Sequence, residues 1–263
     1  MVTLSDSPTL GIMNSKVGWE GVMMFKGKKE AKCLEKILKG YEPGVDPVTA
    51  THSFVKELLN PHPDHYDKTY RYEHSLRVAL WGKRIAEAEG WDSEPLVMAC
   101  LMHDTGYPFC ETMEEWNMHP TYGAEVAKLF LQKIGYYEEL TENICQAIRI
   151  HDKWNDVPED ATPFELSVRD ADDLDRFDIM RVCMIGRSDI GERSAGELIE
   201  VCEKRQKTLT DWQDRICGTD TAKAFWEEKL QMRSRFYEAL QAEMQGTLDI
   251  EALLEGEEKN GNI

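Results

Sequence analysis

Seven histidines punctuate the chain: His52, His62, His65, His74, His103, His119 and His151. The first three fall in or near Asn60-Pro61-His62-Pro63-Asp64-His65, a loop-forming string, and read as solvated side chains without a role. The other four sit on or at the edge of segments with helical periodicity, among apolar neighbours. His103 and Asp104 end the run Leu96-Val97-Met98-Ala99-Cys100-Leu101-Met102, the most apolar in the chain. A carboxylate buried beside an imidazole there costs several kcal/mol unless something compensates it. A divalent cation is one such partner, because imidazole and carboxylate ligands suit Zn, Mn, Fe or Ni. The other reading of the dipeptide taken alone is a helix-terminal polar pair open to water. Downstream, Ser167-Val168-Arg169-Asp170-Ala171-Asp172-Asp173-Leu174-Asp175 packs four carboxylates among core residues.

Almost every segment around these residues has the period of a helix. Glu73–Glu89 places Val78, Trp81, Ile85 and Ala88 on one face. Asp92-Ser93-Glu94-Pro95 is an N-terminal signal, a capping residue followed by an early proline, and opens a helix running to Met102. Pro120 starts another, which Gly135 stops. Thr141 caps the next, whose stripe carries Ile144, Ile148 and His151; Pro163–Phe177 and Thr221–Gln245 follow the same pattern. Strand signals are confined to short pieces near Gly18–Phe25. The fold class is therefore all-α.

With 263 residues and 41% apolar content the chain can bury a substantial core. Its 49 Asp and Glu against 31 Lys and Arg give a net charge of -18, which repels nucleic acid polymers. No apolar run approaches the ~20 residues that span a bilayer, and Met1–Met13 lacks the order of a signal peptide. Seven cysteines without a C-x-x-C pair read as buried thiols of a reducing compartment. A cytoplasmic protein without membrane contact is the expectation. The composition divides the chain into an N-terminal extension (1–50), a core (51–190), C-terminal helices packing on it (191–250) and an acidic tail (251–263) that frays.

The ordered strings YEHSLRV around His74, ACLMHDTG around His103-Asp104 and VRDADDLD around Asp172 resemble the HD-domain superfamily of metal-dependent phosphohydrolases. That resemblance implies a helical bundle, extended here at both ends, in which His74, His103, Asp104 and Asp172 converge as metal ligands. Asp170 competes for the last position, but the family's A-D-x-L-D-like string aligns with Ala171-Asp172-Asp173-Leu174-Asp175 and favours Asp172. Asp170, Asp173 and Asp175 then read as a solvated acidic face. His119 and His151 resemble the extra histidines of superfamily members that hold two metals, with Asp104 bridging. Each taken singly also reads as a core or capping histidine.

The resemblance implies one or two divalent ions (Mn, Fe, Mg, Ni, Zn or Co) and places catalysis at His103-Asp104. A divalent ion lowers the pKa of a water it holds toward about 7 and neutralises phosphoryl charge, which explains how an acidic protein accepts a small anionic substrate. Arg77, Arg149, Lys153 and Arg176 lie near the motifs and are candidates to grip phosphate, or are simply surface cations. Tyr107 and Trp154 are candidates for a pocket wall or for the core.

Gly106-Tyr107-Pro108 invites confusion with the cyclic-di-GMP phosphodiesterase branch, where a GYP element lies beyond the later histidines. Here His151 is followed by Asp152-Lys153-Trp154-Asn155, so that substrate is not assigned. The leading expectation is hydrolysis of a phosphomonoester, phosphodiester or nucleotide. The alternatives are a di-iron oxygenase of the HD type, cleaving a C–C or C–P bond, and a regulatory nucleotide-binding module without turnover. The N-terminal extension and the helices beyond Asp189 are open to roles as a lid or a homodimer contact.

Overall fold

The computed structural model describes residues 25, 28, 30–60, 70–153, 156–183 and 193–259. Trp154, His62, His65 and residues 18–24 lie outside this set. The described residues form helices and turns, with no strand among them. The α-helices are α1 Ala31–Leu38, α2 Pro47–Leu59, α3 Tyr70–Glu89, α4 Ser93–Met102, α5 His119–Lys133, α6 Glu138–Ile150, α7 Pro163–Arg176, α8 Ala195–Asp211 and α9 Asp220–Lys259. Two short 3-10 helices, Tyr107–Phe109 and Glu114–Met118, bridge α4 to α5.

Local chemistry sets several of these boundaries. Asp46 caps α2 through the Thr49 N–H, and Asp92 caps α4 through the Glu94 N–H. Thr162 with Glu165, and Ser194 with Glu197, form reciprocal capping boxes at the starts of α7 and α8. Proline stands at the first or second position of α2, α5 and α7, where its missing N–H is no loss.

The most apolar helix, α4, is also the central one. Pro95, Leu96 and Met98 to Met102 are all buried, and α4 packs on α2, α3, α6 and α7. Its C-terminus thus delivers His103 and Asp104 to the middle of the bundle. On one side Phe54 of α2 stacks on Phe130 of α5 at 4.2 Å. On the other, Phe177, Trp212 and Trp226 pack with ring centroids 4.5–5.5 Å apart and join the end of α7 to the α8–α9 hairpin. Truncating a buried aromatic such as Phe130 or Trp226 to alanine is worth about 3–5 kcal/mol.

Four features depart from the sequence expectations. Helix α6 begins at Glu138, so Thr141 is a buried residue of its first turns and no cap; Glu138 and Glu139 instead place negative charge at the N-terminus. Helix α9 continues to Lys259, through the segment expected to fray. His52 lies in α2, with Nε2 2.6 Å from the Tyr72 hydroxyl. Asp170, Asp173 and Asp175 are buried rather than solvated, because arginines from other elements meet them. All seven cysteines are free; Cys100, Cys145 and Cys202 are buried, and Cys183 is exposed. No helix among the described residues is long and apolar enough to cross a membrane.

Candidate metal centre

Of His74, His103, His119 and His151, the last three stand at a helix end and satisfy it in the same way. The last carbonyls of a helix have no intrahelical donor. His103 Nδ1–H donates to the Cys100 carbonyl at the end of α4 (2.7 Å), and His151 Nδ1–H to the Ile148 carbonyl at the end of α6 (2.7 Å). His119 Nδ1–H donates to the Trp116 carbonyl of the second 3-10 helix (2.6 Å). The fourth, His74 in the first turns of α3, donates Nδ1–H to Oδ2 of Asp175 on α7 (2.7 Å). A proton fixed on Nδ1 leaves Nε2 as the metal-binding atom.

All four Nε2 atoms point into one buried space. His74 and His103 Nε2 are 3.3 Å apart, and His119 and His151 Nε2 are 3.2 Å apart. Oδ1 of Asp104 lies between the pairs, 3.4 Å from His103 Nε2 and 3.8 Å from those of His119 and His151. Oδ1 of Asp172 lies 3.0 Å from His74 Nε2 and 3.8 Å from His103 Nε2. His74, His103 and Asp104 form one group with ligand atoms within 4.8 Å of one another; His103, His151 and Asp172 form a second, and Asp104, His119 and His151 a third. Asp104 belongs to two groups, the position a bridging carboxylate needs.

The electrostatics fit a cation. Burial lowers the pKa of His103, His119 and His151, that of His119 to about 4 with the help of neighbouring His151, so these imidazoles are neutral, as ligands must be. Burial also opposes ionisation of Asp104, but positive charge around it, with the Arg71 guanidinium 2.8 Å away, outweighs it and holds the carboxyl well below its usual range. Arg176 and His74 do the same for Asp172. The Nε2 lone pairs of neutral His119 and His151 face each other at 3.2 Å, and such pairs repel unless something positive lies between them. Nitrogen and carboxylate oxygen donors of this kind suit Zn, Mn, Fe or Ni. His74 is the exception: burial would lower its pKa, but Asp172 and Asp175 on either side raise it to about 9.

Residues 71–180, which span every member of this cluster, match the model of the HD-domain family. The chain carries an HD domain. A crystal structure described as a predicted HD superfamily hydrolase, from an uncultured Thermotogales bacterium, superposes with a TM-score of 0.53 at 20% identity, covering 74% of this chain and 91% of that one. At that identity the likeness concerns the fold. No curated protein matches the chain in sequence.

Around the HD centre, the outer carboxylate oxygens are held by arginines. Arg176 Nη2 lies 2.9 Å from Oδ2 of Asp172, and Arg71 Nη1 donates to Oδ2 of Asp104 at 2.8 Å. The Arg71 guanidinium also lies over the Tyr107 ring, 3.4 Å from its centroid, and Tyr107 stacks on His119 at 4.0 Å. Sequence reasoning missed Arg71, although its place three residues before His74 puts both on one face of α3. It missed Asp175 as the partner of His74 as well; 101 residues separate the two.

Of the other expected phosphate grips, Arg77 is bound to Asp175 (2.7 Å) behind His74. Arg149 pairs with Glu125 across α5 and α6 at 3.3 Å, and Lys153 is exposed just beyond α6. The structure therefore brings Arg176 and Tyr107 to the cluster but neither Arg77 nor Arg149, whose guanidiniums are taken up by nearer carboxylates. Asp170, the competing ligand, faces away and accepts the Gly218 N–H at 2.7 Å.

Proposed function

We propose that this HD domain holds one or two divalent cations and hydrolyses a small phosphate ester: a phosphomonoester, a phosphodiester or a nucleotide. The observation that carries this reading is the double use of Asp104 and Asp172. Each turns Oδ1 to the imidazole cluster and Oδ2 to an arginine. When bound, divalent ions lower the pKa of a water toward about 7 and offset the charge of a phosphoryl group.

The chain's own residues supply the rest. His74, His103, His119 and His151 present Nε2, with His103 and Asp104 at the centre of the reacting position. Arg71 and Arg176 orient the two carboxylates and supply positive charge beside them, which an anionic substrate needs in a protein of net charge -18. Tyr107 stays protonated, because burial pushes its phenol above the ordinary range, and forms a flat wall between Arg71 and His119. The same four imidazoles and two carboxylates also suit iron, which supports a second reading: oxygen-dependent cleavage of a C–C or C–P bond.

The test begins with metal content in protein purified anaerobically without added metal or chelator, followed by a phosphate-release screen with that metal. One or two Mn, Mg, Ni, Zn or Co ions per chain, and phosphate release abolished by Asp104→Ala, are the expected results. Two irons with oxygen uptake and no phosphate release would replace hydrolysis by the oxygenase reading. Ligand binding that survives Asp104→Ala, with no turnover in either protein, would leave a regulatory module.

A further inference from the structure

The helix that carries Asp172 is secured from outside the segment that matches the HD family. Every residue of α7 from Leu166 to Asp175 is buried, and four of them are aspartates. Buried carboxylates persist only when paired or hydrogen-bonded. Two are served from within residues 71–180: Asp172 by Arg176 and His74, and Asp175 by His74 and Arg77. Asp170 and Asp173 emerge on another side of the helix, since each residue advances about 100° around the axis. Within the segment, Asp170 and Asp173 have only longer contacts, to Arg169 at 3.6 Å and to Arg176 at 3.8 Å.

Their close partners come from the connection between α8 and α9. Arg215 Nη2 lies 3.0 Å from Oδ1 of Asp170 and 2.5 Å from Oδ2 of Asp173. The Gly218 N–H donates to Oδ2 of Asp170 at 2.7 Å. That approach needs glycine: a Cβ at Gly218 would stand 2.7 Å from Leu166 Cβ and 2.8 Å from the Pro163 carbonyl oxygen. The far end of α7 is tied in the same manner, with Arg233 of α9 donating to the carbonyls of Phe177 (3.1 Å) and Arg176 (2.6 Å).

We infer that Arg215 is a positioning residue of the metal centre: by pinning Asp170 and Asp173 it fixes the rotation of α7, and with it the place of Asp172 Oδ1 among the imidazoles. This rests on the reading of Asp172 as a metal ligand. It makes the α8–α9 hairpin part of the site's construction, although the hairpin contributes no atom to the cluster.

The test is Mn2+ binding to the full chain, followed by electron paramagnetic resonance well below the unfolding transition, so that affinity per folded molecule is read apart from stability. Arg215→Gln is expected to weaken Mn2+ binding by about 10–100-fold, the range seen when groups behind a metal ligand are removed. Should that variant fail to fold because two buried carboxylates are stranded, Asp170→Asn/Asp173→Asn/Arg215→Gln removes the tether without leaving those carboxylates unpaired and is expected to show the same loss. Wild-type affinity in the folded variants would overturn the inference while leaving the metal centre intact. A wild-type chain that takes up no Mn2+ would overturn the ligand reading and the inference with it.

Discussion

Gly106 lies against the main chain of His119 so closely that a Cβ added to it would stand 2.0 Å from the His119 carbonyl oxygen and 2.5 Å from the Gly123 amide nitrogen. The turn after Asp104 and the start of α5 can touch only because that side chain is absent. Gly106→Ala is therefore expected to push His119 out of the group it forms with Asp104 and His151, leaving His74, His103 and Asp172 in place. Metal analysis checks it: a chain that holds two ions should hold one, with helical circular dichroism preserved.

Asp175→Asn should reveal itself through pH. In the metal-free chain His74 keeps its proton up to about pH 9, against about 6.5 for a free histidine. A raised folded-state pKa stabilises the fold fully below the unfolded value, and that contribution is lost as pH rises through the folded one. Removing one of the two flanking carboxylates should thus cost most stability below pH 6.5, by less than about 3 kcal/mol, and progressively less toward pH 9. Urea unfolding of both proteins in chelator reads the difference, and a gap independent of pH would contradict it.

Arg176 and Arg149 were equivalent candidates in the sequence and should separate in kinetics. Arg176→Ala strips Asp172 of its outer partner at 2.9 Å and is expected to lower kcat/KM for phosphate release by about 100-fold. Arg149→Ala breaks only a half-exposed pair with Glu125. Its expected effects are unchanged kinetics and a stability change within about 0.5 kcal/mol.

Thr162→Ala removes one arm of the capping box on α7. The expected loss is about 1 kcal/mol of stability, read as a lower thermal midpoint. Mn2+ affinity should not follow, because α7 is also tied through Asp170, Asp173 and its C-terminal carbonyls.

What the sequence reveals and what it hides divide along the range of the interactions. The helices α3 to α7 are readable because periodicity, Asp92 and Pro163 are local signals. The six His and Asp residues that the structure brings together stand in motifs of a few residues each. The partners that orient them are found only across the fold. Asp175 reaches His74 over 101 residues, and Arg215 reaches Asp173 over 42. No periodicity carries such a pairing, which is why Asp170, Asp173 and Asp175 looked solvated. Thr141 misled for a different reason: a threonine before an apolar stripe resembles a cap, but Glu138 and Glu139 had already started the helix.

Helix ends are ordinarily the first parts of a fold to open, yet three of the histidines are bonded to terminal carbonyls at Cys100, Trp116 and Ile148. An ion drawn to their Nε2 atoms would stitch those ends together, so fraying and ion release become the same event. Amide hydrogen exchange in the last turns of α4 and α6 would then slow on loading, and the helix tips would report on occupancy without any substrate at hand.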